Sequence, residues 1–175
     1  MRKTGIKKLL PLLLCTLPMA SVQALTLEVQ MELPQMKVAE YHAPYVAMWL
    51  QGQDKRQLTN LALWYDHEMK NDEGQQWLKD IRQWWRRSGR SLSLPVDGIT
   101  GATRTAGHHT LQFDDKQFAF SSLPAGEYQF FIEAVREVGG RELLSIPVTL
   151  PFEKAQTFKA SGNNELGQVQ LVVMP

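Results

Sequence analysis

Short apolar segments separated by turns are the feature that most constrains the fold of this chain. From Leu25 to Leu33 apolar side chains alternate with polar ones, and this period of two predicts a strand with one buried face. Similar segments follow at residues 45–50, 58–65, 109–113, 118–120, 128–138, 143–150, 152–158 and 166–173. About eight short strands, with turns about every 8 to 12 residues, predict a mainly β fold, a two-sheet β-sandwich of immunoglobulin-like or transthyretin-like type.

Two of these segments predict where their strands lie in a sheet. Residues 45–50 show no polar alternation, which favours a strand that is covered on both faces. Pro147 interrupts the segment 143–150, and a residue that cannot donate a main-chain hydrogen bond indicates an edge strand or a bulge.

The period of the pattern changes at about residues 73–88, where we expect one inserted α-helix. Asn71 or Asp72 is suited to cap its start, and Gly89 to end it. Its apolar side chains would form a single stripe: Trp77, Leu78, Ile81, Trp84 and Trp85.

The first 24 residues are predicted to be a secretory signal peptide. A basic start precedes the short apolar run Leu9–Met19 and the small residues 22–24, so we expect cleavage after Ala24. A permanent membrane anchor is the weaker alternative, because a span needs roughly 20 apolar residues and this run is about half that length. No span is expected in the mature chain. Cys15, the single cysteine, leaves with the leader. We therefore predict a periplasmic protein with one domain, residues 25–175, held together without disulfides.

Charge argues against nucleic-acid binding. The whole chain has 19 Lys and Arg against 18 Asp and Glu; without the four basic residues of the leader, the net charge falls from +1 to −3. A nucleic-acid-binding domain is expected to show a basic face instead. One basic cluster, Arg86, Arg87 and Arg90, has two explanations: a phosphate clamp, or cations favoured by the dipole of a helix C-terminus.

Neither a metal site nor a catalytic centre is predicted. Adjacent residues of a strand point to opposite faces, so His108 and His109 are poorly placed to share one ion. His67 lies beside Asp66 and Glu68, but without a recognisable ligand spacing. No nucleophile motif of the type G-x-S-x-G is present, and aspartates such as Asp114 are typical of turns. We therefore expect a protein without enzymatic activity of its own.

The candidate functional segment is the loop Asp97-Gly98-Ile99-Thr100-Gly101-Ala102-Thr103. It combines one carboxylate, two hydroxyls and two glycines, and small residues allow such a loop to enter the cleft of another protein. No lysine follows its glycines as in a Walker loop, and no dinucleotide-binding pattern is present. The remaining alternative is a simple connection between helix and strand.

These seven residues match the pattern D-x-x-[ST]-G-A-[ST]. The pattern resembles the acceptor motif of proteins to which a flavin transferase attaches FMN, such as flavin-bearing subunits of bacterial sodium-pumping and Rnf-type electron-transport complexes. The resemblance implies that Thr103 accepts FMN as a phosphoester. It further implies that Thr100, Gly101 and Ala102 enter the transferase, and that Asp97 and Gly98 belong to the same cofactor-binding motif.

A second resemblance covers nearly the whole mature chain. The order of a Trp-rich strand and helix, then V-D-G-I-T-G-A-T-R, L-P-A-G-E-Y and E-A-V-R-E-V-G-G, is similar to a family of predicted periplasmic proteins of undefined function. Its members tend to be encoded beside PepSY-type membrane proteins and flavin transferases. The resemblance implies an electron carrier that works with a membrane redox partner, in electron transfer or metal reduction. The alternative is a non-redox, immunoglobulin-like binding module for a protein or ligand.

Overall fold

The computed structural model describes residues 25–175. The predicted leader and its cleavage site after Ala24 lie outside this range. Within it, nine strands form two sheets: β1 (Thr26–Leu33), β2 (Tyr45–Gly52), β3 (Leu58–Trp64), β4 (Thr100–Gly101), β5 (Gly107–Asp114), β6 (Gly126–Val135), β7 (Arg141–Leu150), β8 (Gln156–Ser161) and β9 (Gln168–Met174). None of the helices in this part of the chain has the length and apolar character that a bilayer crossing requires.

The two sheets confirm the predicted β-sandwich. One sheet has the strand order β5-β1-β9-β8, and the other has the order β4-β3-β2-β6-β7. In β1 alternate side chains, such as those of Leu27 and Val29, are buried between the sheets, which is the outcome that the period of two predicts. Pro147 lies on β7, the edge strand of the five-stranded sheet, as expected.

The five-stranded sheet has a second core on its outer face. Every residue of β2 is buried, because Val46 and Met48 face the other sheet while Ala47 and Trp49 face the helical insertion. Trp49 stacks on Phe131 of the neighbouring strand, with ring centroids 5.0 Å apart. The prediction that residues 45–50 are covered on both faces is therefore confirmed.

The insertion is broken where a continuous α-helix over residues 73–88 was predicted. A 3₁₀ segment spans Lys70–Asp80, and its residues Asn71 and Asp72 have positive φ angles of 54° and 55°. Ile81 interrupts the helical geometry with a ψ of 70°, and only α1, Arg82–Arg87, is an α-helix.

A buried carboxylate explains why α1 begins where it does. Glu133 on β6 is fully buried and accepts hydrogen bonds from the amides of Gln83 (3.0 Å) and Trp84 (2.8 Å). Unpaired amides at a helix start favour such an acceptor. The sequence pattern contains no sign of it, because Glu133 is distant along the chain. Along the broken insertion Leu78, Ile81 and Trp84 are buried, but Trp77 turns outward and is 47% exposed.

The predicted strand at residues 118–120 is wrong. This segment forms the short helix α2 (Asp115–Phe118) and a 3₁₀ turn (Phe120–Ser122). Asp114 caps α2 by accepting a 2.8 Å hydrogen bond from the amide of Gln117, which outweighs the apolar pattern. Near the C-terminus, the segment predicted at 152–158 forms its strand later, at Gln156–Ser161.

Candidate functional site

The glycine-rich loop is anchored along the edge of the five-stranded sheet. Thr100 and Gly101 form β4, which runs parallel to β3. The amide of Leu63 donates to the carbonyl of Ile99 (2.7 Å), and the amide of Tyr65 donates to that of Gly101 (3.1 Å). The segment is therefore held in an extended form rather than being a free connection.

The first half of the motif shapes a turn. Gly98 has a φ of 79°, a conformation that favours glycine, and its carbonyl accepts a 3.0 Å hydrogen bond from Gln117. The hydroxyl of Thr100 accepts a 2.9 Å hydrogen bond from the amide of Val96, which closes the turn. The Asp97 side chain is exposed. These residues give the motif its backbone form, and the hydroxyl of Thr100 is engaged in it.

Thr103 presents its hydroxyl differently. It lies just beyond β4, is half-buried, and donates a 2.8 Å hydrogen bond from Oγ1 to Oδ1 of Asp66. Asp66 follows the end of β3 and is exposed. Of the two motif hydroxyls, that of Thr103 therefore lies at a surface carboxylate, and its neighbour Ala102 is exposed.

Thr103 also lines a cleft with a volume of about 740 Å³, named the larger cleft here. The other walls come from the segment after β3, the 3₁₀ segment Lys70–Asp80, the start of α1, residues 42–45 before and at the start of β2, and residues 135–141 between β6 and β7. This volume is typical of small-molecule sites, which span roughly 300–1,000 Å³. Gly98, Ile99, Thr100 and Gly101 line a separate cleft of about 290 Å³. The motif thus spans two clefts, and only Thr103 faces the larger one.

The charges of the larger cleft are mainly negative. Arg136 pairs with Glu165 at 3.1 Å, and Arg141 pairs with Glu133 at 2.6 Å, so both guanidinium groups are already neutralised. Arg82 also lines the cleft and has no ion pair among residues 25–175. Four further carboxylates line the walls: Asp66, Glu73, Asp80 and Glu137, the last of them 3.5 Å from the ring of His42. A free dianionic phosphate is therefore poorly matched to this cleft.

Two tyrosines lie beneath Asp66. Tyr45 lines the cleft, and its ring packs edge-on against Tyr65, with centroids 6.2 Å apart. Burial, and next the nearby carboxylate of Asp66, raise the pKa of Tyr45 to about 12. Burial also raises the pKa of Tyr65, whose hydroxyl has no hydrogen-bond partner in the described part of the chain. Both phenols are therefore neutral at physiological pH.

The aromatic side chains differ in their access to solvent. Trp84 is fully buried, and Trp64 is covered by the guanidinium of Arg104, 4.2 Å from its ring centroid. Trp77 is both exposed and part of the cleft wall. The basic cluster at the end of α1 lines neither of these two clefts, so it does not lie beside Thr103. Its members are Arg86, Arg87 and Arg90.

No group of three His, Cys, Asp or Glu side chains within residues 25–175 is arranged to hold a metal ion. His108 is exposed, while His109 packs edge-on against Trp64, so the two point to opposite faces as expected.

The contact between Asp66 and Thr103 was not predicted from the sequence, where Asp66 stood out only as a neighbour of His67. No pattern links residues 37 positions apart.

Comparison with known proteins places the chain in a family. The sequence profile of DUF2271, described as a predicted periplasmic protein, matches residues 26–168. No curated protein and no solved structure matches the chain. The family description confirms the predicted periplasmic location. The chain belongs to the DUF2271 family of predicted periplasmic proteins.

Proposed function

We propose that this protein is a periplasmic electron carrier with FMN covalently attached to Thr103. The observation that supports the proposal best is the position of the Thr103 hydroxyl. Thr103 occupies the last position of the acceptor motif and is half-buried. It also lines a cleft whose volume is typical of small-molecule sites.

Attachment requires one exchange of bonds. The oxygen of Thr103 forms a bond to the phosphorus of the FMN half of FAD, the pyrophosphate bond breaks, AMP leaves, and the threonine proton passes to a base. A threonine hydroxyl is a weak nucleophile, so a flavin transferase supplies the activation. Asp66, at 2.8 Å, orients the hydroxyl before the reaction. After it, the oxygen has no proton to donate to Asp66.

The chain fits a tethered flavin better than a diffusible one. The carboxylates along the cleft oppose binding through a dianionic phosphate, whereas a covalent ester needs no such affinity. A tether also keeps the flavin at a high local concentration beside its site. Once attached, the flavin supplies the capacity to accept and release electrons, while the protein binds, orients and shields it.

Two partners follow from the motif and its surroundings. A flavin transferase acts on the segment Thr100–Thr103, whose residue Ala102 is exposed. A PepSY-type or other membrane redox protein exchanges electrons with the flavin, and the electrons serve electron transfer or metal reduction. The cleft opens at the end of β3, on the side where Asp66 and Met69 are exposed. A docked partner can therefore approach it from solvent.

The proposal is tested by producing the chain in a periplasm together with a flavin transferase and viewing denaturing gels under ultraviolet light. Wild-type protein should give a fluorescent band, and Thr103→Ala should give none. Thr105→Ala is the matched control, because Thr105 is an exposed threonine two positions further and should leave the band intact. Ligand capture by a chain that stays dark in a competent host would favour a non-redox binding module instead.

A further inference from the structure

The cleft beside Thr103 has an apolar rim. Five large apolar side chains are exposed within residues 25–175, and three of them line this one cleft: Met69, Trp77 and Val138. Such a concentration of exposed apolar surface marks a binding site rather than ordinary surface variation. We propose that the cleft is the resting site of the isoalloxazine ring carried by Thr103, with the indole of Trp77 stacked on it. This inference rests on the proposed function and adds where the ring lies and which residue holds it.

Trp77 is exposed because the helical insertion is broken. On a continuous helix Trp77 would share the buried stripe of Leu78 and Ile81, but the 3₁₀ geometry before Ile81 turns it outward. An exposed indole has a large apolar face, and burying apolar area contributes about 25 cal/mol per Å². A flat ring system can cover this face in an offset stack, the arrangement that aromatic pairs prefer.

Val138 contributes from a second element. It lies in the β6–β7 connection, is 94% exposed, and has a φ of 51°. A β-branched residue rarely adopts this conformation, so it is expected where surrounding structure or function requires it. Met69 adds a flexible thioether side chain, which adapts to irregular apolar ligands.

The charges of the cleft walls indicate whether the cleft suits an uncharged flavin ring or a phosphate group. Four carboxylates line the cleft, and Arg82 is the cation there without an ion pair among the described residues. An uncharged ring is compatible with such walls, whereas a dianionic phosphate is repelled. The cleft should therefore bind riboflavin, which lacks the phosphate, more tightly than free FMN. This order is the opposite of that expected for a phosphate-recognising flavin site.

The first test uses flavinylated protein. Wild-type, Trp77→Ala and Trp85→Phe chains are checked for equal FMN content by intact mass, and the flavin emission of each folded protein is measured. Indole stacked on a flavin quenches its emission, so Trp77→Ala should increase the emission several-fold. Trp85 is half-buried and lines neither cleft, so Trp85→Phe should leave the emission unchanged. An unchanged emission in fully loaded Trp77→Ala protein would overturn the inference.

The second test uses the unmodified Thr103→Ala chain and does not depend on attachment. Riboflavin and FMN are titrated separately, and isothermal titration calorimetry reports binding, so the readout does not depend on Trp77. We expect tighter binding of riboflavin, and a several-fold loss of its affinity when Trp77→Ala is added. Tighter binding of FMN, or riboflavin binding that is indifferent to Trp77→Ala, would overturn the ring site. Absence of FMN from the wild-type chain contradicts the proposed function instead, and the riboflavin titration then decides the ring site by itself.

Discussion

Thr103 donates a hydrogen bond from its hydroxyl to the carboxylate of Asp66, 2.8 Å away and 37 residues earlier in the chain. The proposed esterification of Thr103 would remove the proton that makes this bond and would place a negative phosphodiester beside a negative carboxylate. The contact that orients the free hydroxyl would then become a repulsion. The sign of the contribution of Asp66 to stability should therefore depend on modification.

Asp66→Asn tests this reversal. In unmodified protein the substitution should lower the melting temperature slightly, because a charge-assisted hydrogen bond becomes a neutral one. In flavinylated protein the same substitution should raise the melting temperature, because it removes a repulsion between two charges. At about 4 Å in water such a repulsion is on the order of 1 kcal/mol. Added salt should shrink the second effect. The same direction of change in both forms would contradict a phosphodiester next to Asp66.

Glu133→Gln should destabilise the protein by about 1–3 kcal/mol, the range for disrupting a buried hydrogen-bonded group. The carboxylate is fully buried and accepts from two amides of α1 and from Arg141. Urea unfolding measures the change. Glu153→Gln, at an exposed position, is the control and should stay within about 0.5 kcal/mol of the wild type.

Alkaline pH should destabilise the protein through Tyr45. Its pKa is about 12 in the folded chain, against an ordinary value of 10.0, so the unfolded chain releases the phenolic proton first. The stabilising contribution is therefore complete below pH 10 and is lost as pH rises towards 12. Unfolding free energies over this range should fall with pH, and less steeply in Tyr45→Phe. An equal slope in that variant would show that Tyr45 is not the responsible group.

Gly74→Ala should destabilise the helical insertion and displace Asp66. A Cβ at this position would overlap the carbonyl oxygen of Asp66 and lie 3.3 Å from the hydroxyl of Tyr45. Overpacking of this kind costs roughly 1–3 kcal/mol. Gly101→Ala is a matched control, since its Cβ would meet Trp64 at an ordinary 3.6 Å. Thermal melting should therefore distinguish the two glycines, and equal melting temperatures would contradict the tight approach at Gly74.

The β-sandwich was predictable from the sequence because the hydrophobic periodicity of its strands matches the burial of their side chains. Alternation in residues 25–33 and its absence in residues 45–50 each report directly which faces of a strand are covered. The broken insertion was not predictable in this way. It depends on Glu133, a buried carboxylate from a distant strand that begins a new helix at Arg82.

The sequence motif made Thr103 a candidate because its seven residues are contiguous, and that assignment stays a prediction. Its surroundings are not contiguous: Asp66 follows β3, Trp77 belongs to the 3₁₀ segment, and Val138 lies between β6 and β7. Only the folded chain brings these side chains to one cleft. Trp77 was expected on a buried stripe, but it is exposed because the 3₁₀ geometry before Ile81 turns its side chain outward.

The most direct measurement is the mass of one tryptic peptide. Cleavage after Arg90 and Arg104 releases residues 91–104, which contain Thr100 and Thr103, whereas Thr105 falls in the next peptide. For chain made with a flavin transferase, we predict that this peptide gains the mass of one FMN less one water, with fragmentation placing it on Thr103. An unmodified peptide 91–104 from a host that flavinylates other acceptors, or FMN on another residue, would contradict the account.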